Sequence, residues 1–242
     1  MNPAILTPVL DLLDIIGIAV FALSGAVIAA KEQQTFVTMA FFALVTGVGG
    51  GTLRDLLIGA PVFWITDPWV APICLVTALI AWFTPYRMWE GKLFDFADGA
   101  GLAAYAVLGS AKALAYGIPP VPAALMGIIT GCVGGIIRDV VAGRPSIIMR
   151  PELYVTAAAL SAALTVGGML LAPMAGLDRF WVWGAAFLAG FALRGAAIWF
   201  EWGLPIYRLG GGAEARHAVA KADTKATDPR RDPPPNMPPP RT

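Results

Sequence analysis

The sequence predicts an all-α membrane protein of seven transmembrane helices, arranged as an inverted three-plus-three repeat with a seventh helix added. Three observations predict it. Hydrophobic residues make up 57% of the chain and charged ones only 14%, with a mean hydropathy of +0.70; a water-soluble domain carries about a quarter charged residues. Apolar runs long enough to cross roughly 30 Å of hydrocarbon recur along the chain. The first part of the chain also matches a later part when shifted by 84 residues without a gap.

Taken in order, the first span runs from about Pro8 to Ala30 and the second from Phe36 to Ile58. The third covers Trp69 to Thr84, the fourth Phe94 to Ala115 and the fifth Val121 to Ala142. The sixth covers Leu153 to Leu171 and the seventh Phe180 to Phe200. Pro61, Pro68, Pro85, Pro119, Pro120, Pro145, Pro151 and Pro173 punctuate the gaps, where helices are expected to stop. No Lys or Arg precedes the first apolar run, which holds Asp11 and Asp14 instead and argues against a cleaved signal peptide. The organisation expected is a first repeat over residues 1–92, a second and inverted one over 93–173, the seventh helix over 174–206, and a disordered, Pro-rich basic tail over 207–242.

Lysine and arginine bias sets the orientation. With a cytoplasmic tail, the loops holding Lys31, Arg87 with Lys92, and Arg144 with Arg150 are cytoplasmic too, Arg179 being the exception. The N-terminus is then outside, in a multi-pass protein of the inner (plasma) membrane. Trp64, Trp69, Trp89, Tyr86, Tyr154, Trp181, Trp183 and Trp202 near the span ends read as interfacial belts. Cys74 and Cys132 lie in apolar runs without CxxC or Cys/His spacing and read as small packing residues. His217, in the tail, suggests no role.

The repeat aligns Asp14 with Asp98, Gly17 with Gly101, Gly25 with Gly109, Thr46-Gly47 with Thr130-Gly131, and Gly50-Gly51 with Gly134-Gly135. It also aligns Arg54-Asp55 with Arg138-Asp139, Gly59 with Gly143, and Pro61 with Pro145. Each copy holds three spans, so the second enters the membrane from the opposite side. Transport proteins are often built this way, with the site at the repeat interface on interrupted helices.

Gly49, Gly50 and Gly51 each cost about 1 kcal/mol relative to alanine in a helix, which favours a kink or a short unwound piece. Irregular backbone at membrane depth is tolerated only against protein or a wet cavity. Small-residue stripes equally serve close helix packing, so the glycines read as pore lining or as packing. Sequence neighbours do not face each other on a helix. Arg54 is therefore expected not to pair with Asp55, nor Arg138 with Asp139; each arginine is expected to reach a carboxylate on another helix, from among Asp14, Asp98, Asp55 and Asp139. The competing reading has both arginines snorkelling to the headgroups. Lys112 has no counterpart in the first copy, where Ile28 stands, and reads as interfacial or as a cation in the pathway, with the interface favoured. Arg194, well inside the seventh span, calls for a carboxylate or carbonyl partner.

Four stretches resemble the prokaryotic trimeric intracellular cation (TRIC) channels, a family overlapping the bacterial glycine-transporter-domain membrane proteins. They are "FALSGA" at 21–26, "GVGGGTLRDLLIGAPVFWI" at 47–65, "GCVGGIIRDVVAGRP" at 131–145 and "LRGAAIWFEWGLP" at 193–205. The resemblance covers about residues 10–206. It implies a homotrimer in the lipid bilayer, with a separate pore in each protomer bounded by second and fifth helices kinked at Gly49-Gly50-Gly51 and Gly134-Gly135. It also implies passage of monovalent cations, K+ chiefly or Na+, with no cofactor. Val133 stands where the first copy has Gly49, so the second kink is expected to be gentler.

As a channel, freed carbonyls with Ser24, Thr46, Thr130 and buried carboxylates would replace part of the ion's hydration. A guanidinium beside a cation path is a barrier unless it is neutralised, so this reading requires Arg54 and Arg138 to be paired or displaced. As a secondary transporter for a small zwitterion such as glycine, a helix break would hold the carboxylate and Asp14 or Asp98 the ammonium. No hydrolytic triad, nucleotide-binding loop or metal-ligand spacing is present, so neither an enzyme nor a nucleic-acid binder is expected.

Overall fold

The computed structural model describes residues 8–89 and 91–205; the expected disordered tail lies outside the described residues. The elements are α1 (Pro8–Lys31), α2 (Phe36–Ile58), a single turn α3 (Phe63–Thr66), α4 (Val70–Phe83), α5 (Lys92–Ala115), α6 (Pro120–Val141), α7 (Val155–Ala175) and α8 (Arg179–Phe200). Short 3-10 turns stand at Tyr86–Trp89 and Ile147–Met149. The only extended pairing among the described residues is a single antiparallel bridge, Glu152 to Gly203.

Local chemistry explains the ends. Thr35 caps α2 by accepting from the Thr38 amide, and Asp178 caps α8 by accepting from the Phe180 amide. Pro120 starts α6, where its missing N–H costs nothing. Gly59 and Gly176 close α2 and α7 in the left-handed region, at φ 70° and 63°.

Apolar stretches in α1, α2, α6, α7 and α8 are long enough to cross a membrane, and α4 is a shorter apolar helix of 14 residues. Leu56, Ile65, Phe83, Val121 and Leu188 are among many large apolar side chains left exposed on the outer faces, where a bilayer would cover them. Helix α5 is the interior helix. It packs against α1, α6, α7 and α8, and everything from Gly101 to Ala113 is buried. It therefore carries Asp98 and Lys112 into the middle of the bundle.

Helices α2 and α6 run without interruption through Gly49–Gly51 and Gly134–Gly135, so no unwound piece forms there. The glycines instead let two backbones meet. A side chain at Gly50 would strike the carbonyl oxygen of Thr130, and one at Gly134 would lie 2.9 Å from that of Thr46. Burying backbone this closely offsets the poor helix propensity of glycine while both helices stay continuous. Helices α1 and α5 meet in a similar way. Phe21 and Tyr105 stack with centroids 5.2 Å apart, Tyr105 covering Gly17 and Phe21 covering Gly101.

Three local expectations change. Pro173 lies inside α7 rather than in a gap; so close to the helix end, its missing N–H forfeits one bond in a turn that is already finishing. The 61–69 connection contains the extra turn α3. Trp183 and Tyr154 are buried, at 3% and 1% exposure, because α8 turns Trp183 into the main apolar core and Tyr154 packs beneath Arg194.

Candidate functional site

Near their C-terminal ends α2 and α6 each carry an Arg-Asp pair, and the helices around them build two buried ionic clusters. In the first, Arg54 Nε donates to Asp55 Oδ1 at 2.8 Å, and Lys112 Nζ reaches the same oxygen at 2.8 Å. The other carboxylate oxygen, Asp55 Oδ2, accepts from the amide that opens α3, Phe63 N, at 3.0 Å. The guanidinium lies over the Phe63 ring, 5.8 Å from its centroid. Arg54 and Asp55 have no exposed surface, while Asp14 lies within electrostatic reach of Lys112.

In the second cluster, Arg138 Nε donates to Asp139 Oδ1 at 2.8 Å, and its Nη1 reaches Asp98 Oδ1 at 2.6 Å. That same Nη1 donates to Ser24 Oγ, and the Ser24 hydroxyl donates to Asp98 Oδ1 at 3.1 Å. Asp139 Oδ2 accepts from Ile147 N at 2.7 Å. Phe94 lies under the guanidinium at 5.5 Å. Arg138, Asp98 and Asp139 are all buried.

The adjacent-residue pairing reverses one expectation. Spacing on the helix separates the Cβ atoms of Arg54 and Asp55, but the arginine stem is long enough to fold back so that Nε meets the neighbouring carboxylate. The expected reach to another helix is present for Arg138, which binds Asp98 on α5 and Ser24 on α1. For Arg54, Nη1 and Nη2 are buried and make no hydrogen bond. With Arg54 and Arg138 buried, neither snorkels. Lys112 likewise faces inward. At 9% exposure it spans from α5 to α2 because Asp55 offers it a buried counter-charge.

Six charged groups are thus sequestered: Arg54, Lys112 and Arg138 against Asp55, Asp98 and Asp139. Burying each ion costs several kcal/mol even after relaxation, and pairing offsets that only where the geometry is good. Ionisable groups inside a membrane bundle mark a functional site more often than a stabilising one. The first cluster holds two cations against one carboxylate and the second one cation against two, so the six charges cancel across the pair of clusters and not within either.

Between the clusters lies the α2–α6 crossing. Thr46 and Thr130 are fully buried beside it. Thr46 Oγ1 lies against Gly25, and Thr130 Oγ1 against Gly109. Gly49, Gly50, Gly51, Gly134 and Gly135 are buried as well. Arg194 finds its partner in Glu152, at 2.6 Å from Nη2 to Oε2.

Three participants are absent from the residues singled out by sequence, and a fourth has a different place from the one expected. The amides of Phe63 and Ile147 stand eight residues after Asp55 and Asp139 and share the 84-residue shift, a signal that the repeat already carried. Glu152 is a lone carboxylate in a loop with Arg144 and Arg150. Tyr154 resembles any interfacial aromatic in sequence and is found only by its contact with Arg194.

Comparison with known proteins gives consistent results. The family profile described as glycine transporter matches residues 11–86 and 95–169. The chain is 42% identical over 156 residues to a UPF0126 membrane protein of Vibrio cholerae, a match covering 62% of this chain and 64% of that protein. It is 40% identical over 149 residues to the UPF0126 inner membrane protein YadS of Escherichia coli strain K12, covering 60% of this chain and 72% of that one. Among solved structures, it superposes on the TRIC trimeric intracellular cation channel orthologue from Rhodobacter sphaeroides with a TM-score of 0.73 and 36% identity, covering 81% of this chain and 100% of that chain.

Proposed function

Taking as premise that the chain belongs to the glycine transporter family of multi-pass membrane proteins, we propose that it is a passive channel for monovalent cations, K+ preferred. Likeness to the Rhodobacter sphaeroides cation channel orthologue supports the channel. In this reading seven spans, α1, α2 and α4 through α8, form the protomer. Helices α1, α2 and α4 are one copy, α5, α6 and α7 the inverted second copy, and α8 the addition. The reciprocal contacts of Gly50 with Thr130 and Gly134 with Thr46 support a pseudo-two-fold axis through the α2–α6 crossing.

The observation that carries the proposal is the pair of buried clusters flanking that crossing, whose opposite charges cancel across the pair. A cation path past Arg54 and Arg138 requires both guanidinium groups to be neutralised, and each is held at 2.8 Å by its own aspartate. Ser24, Thr46 and Thr130 supply oxygen along the route, and α2 and α6 bend at their glycines when it opens. Three protomers associate, each with its own pore, in the inner membrane with the N-terminus outside.

The family description favours one rival, a carrier for a small zwitterion. Planar-bilayer recording of the reconstituted full chain separates the two. Unitary currents in symmetrical KCl, with a reversal potential that follows K+ rather than Cl− and needs no coupling ion, are expected. Silence, together with saturable glycine uptake driven by a proton or sodium gradient, overturns the channel reading.

A further inference from the structure

A charged cavity, of about 320 Å³, lies between the start of α5, the loop at Pro151–Glu152 and the end of α8. Lys92, Asp95, Glu152, Arg194, Glu201 and Trp202 line it, and none of them belongs to the clusters on α2 and α6. Its walls are held in place. Leu204 N donates to Pro151 O at 2.7 Å, and Glu152 pairs with Gly203 in the antiparallel bridge.

The inner wall is Arg194, only 2% exposed. Its stem crosses Gly99, its head lies 5.3 Å from the Tyr154 ring centroid, and its Nη2 binds Glu152. Its Nε is buried without a hydrogen-bond partner. Lys92 is engaged elsewhere, donating to Trp199 O at 3.3 Å and sitting over the Trp199 ring. Among the described residues, Asp95 and Glu201 make no hydrogen bond or ion pair, so two carboxylates and one buried guanidinium N–H remain unanswered.

Glu201 is also an unusual residue for its place. It caps α8 in the left-handed region at φ 56°, where α2 and α7 use glycine. A side chain there is strained, and glycine would be cheaper. The exposed Trp199, Phe200 and Trp202 around the mouth are the residue types of a membrane–water boundary.

We propose that this cavity binds a small primary ammonium carrying an acceptor oxygen a few bonds away. The ammonium sits between Asp95 and Glu201, and the oxygen faces the Arg194 guanidinium in the inner wall. A simple anion would face two carboxylates, and a simple cation would face the Arg194 guanidinium. Ethanolamine and glycine carry this chemistry as free molecules, and a phosphatidylethanolamine headgroup carries it from the bilayer. The proposal is independent of what crosses the membrane, since its readout is binding rather than flux.

Calorimetric titration of the purified full chain with ethanolamine, glycine, methylammonium and acetate tests it. Saturable binding of ethanolamine or glycine is expected, about tenfold or more tighter than either half-ligand. Asp95→Asn and Glu201→Gln should each weaken it by roughly tenfold to a hundredfold. Both variants remove carboxylates that make no hydrogen bond or ion pair among the described residues, so folding should be retained. If the source is the lipid, soluble ligands bind weakly, and nanodiscs of phosphatidylethanolamine raise the unfolding temperature above that in phosphatidylcholine, a difference lost in Glu201→Gln. A cavity that holds only water gives neither result, and that outcome, or binding unchanged in both variants, overturns the proposal.

Discussion

Replacing Gly50 by alanine tests the idea that the glycines of α2 serve close helix crossing in the resting structure. A methyl group at Gly50 would lie well inside 3.0 Å of Thr130 O, with Gly134 N only 3.5 Å away. These neighbours are backbone atoms of a continuous helix, so no rotamer change relieves the overlap. Restoring van der Waals contact requires α2 and α6 to separate by on the order of 1 Å. Overpacking of this kind costs about 3 kcal/mol at its upper end, and the better helix propensity of alanine returns about 1 kcal/mol. The net loss of about 2 kcal/mol lowers the melting temperature by about 4–8 °C in a bundle of this size. Gly134→Ala, with its nearest atom at 2.9 Å, should lose about half as much. Gly167→Ala, which meets nothing within 4 Å, should be neutral or slightly stabilising. Tryptophan-fluorescence melting of the purified proteins reads all three. An unchanged Gly50→Ala, or an equal loss in Gly167→Ala, would refute the reasoning.

Three further outcomes follow from the contacts. Asp98→Asn removes one counter-charge from Arg138; breaking a buried pair costs about 3 kcal/mol or more, so melting should fall by about 6–12 °C. Tyr105→Phe deletes the buried hydrogen bond to Gly47 O at 2.9 Å while keeping the ring stack on Phe21, and should cost about 1 kcal/mol, read in the same melt. Glu32→Gln breaks the half-exposed pair with Arg144, which is worth at most about 1 kcal/mol; the small loss should disappear when wild type and variant are compared in high salt.

The longer helices were legible because each depends on local information. A run such as Phe36–Ile58 announces itself by apolar length, and its ends by Thr35 and Gly59. The observed limits of α2 match the expected ones, and those of α6 differ by one residue at each end. The repeat was legible as identity at a constant shift. Partner choice was not. Arg54 pairing with its own neighbour, Lys112 turning inward to Asp55 and Arg194 finding Glu152 depend on how far each side chain reaches once its helix has a rotation and a depth.

By itself, the sequence determined which segments are helical, which positions would be charged inside an apolar bundle, and that two halves share one pattern. These follow from hydrophobic length and backbone hydrogen bonding, which act over a few turns. Tertiary structure alone decided that the glycines are crossing points rather than breaks, that six buried charges gather in two clusters, and that Arg194 and Glu201 share a cavity. Each of these outcomes comes from contacts between residues far apart in the chain, where an ångström of helix separation determines whether a carboxylate meets a cation or a neighbouring backbone.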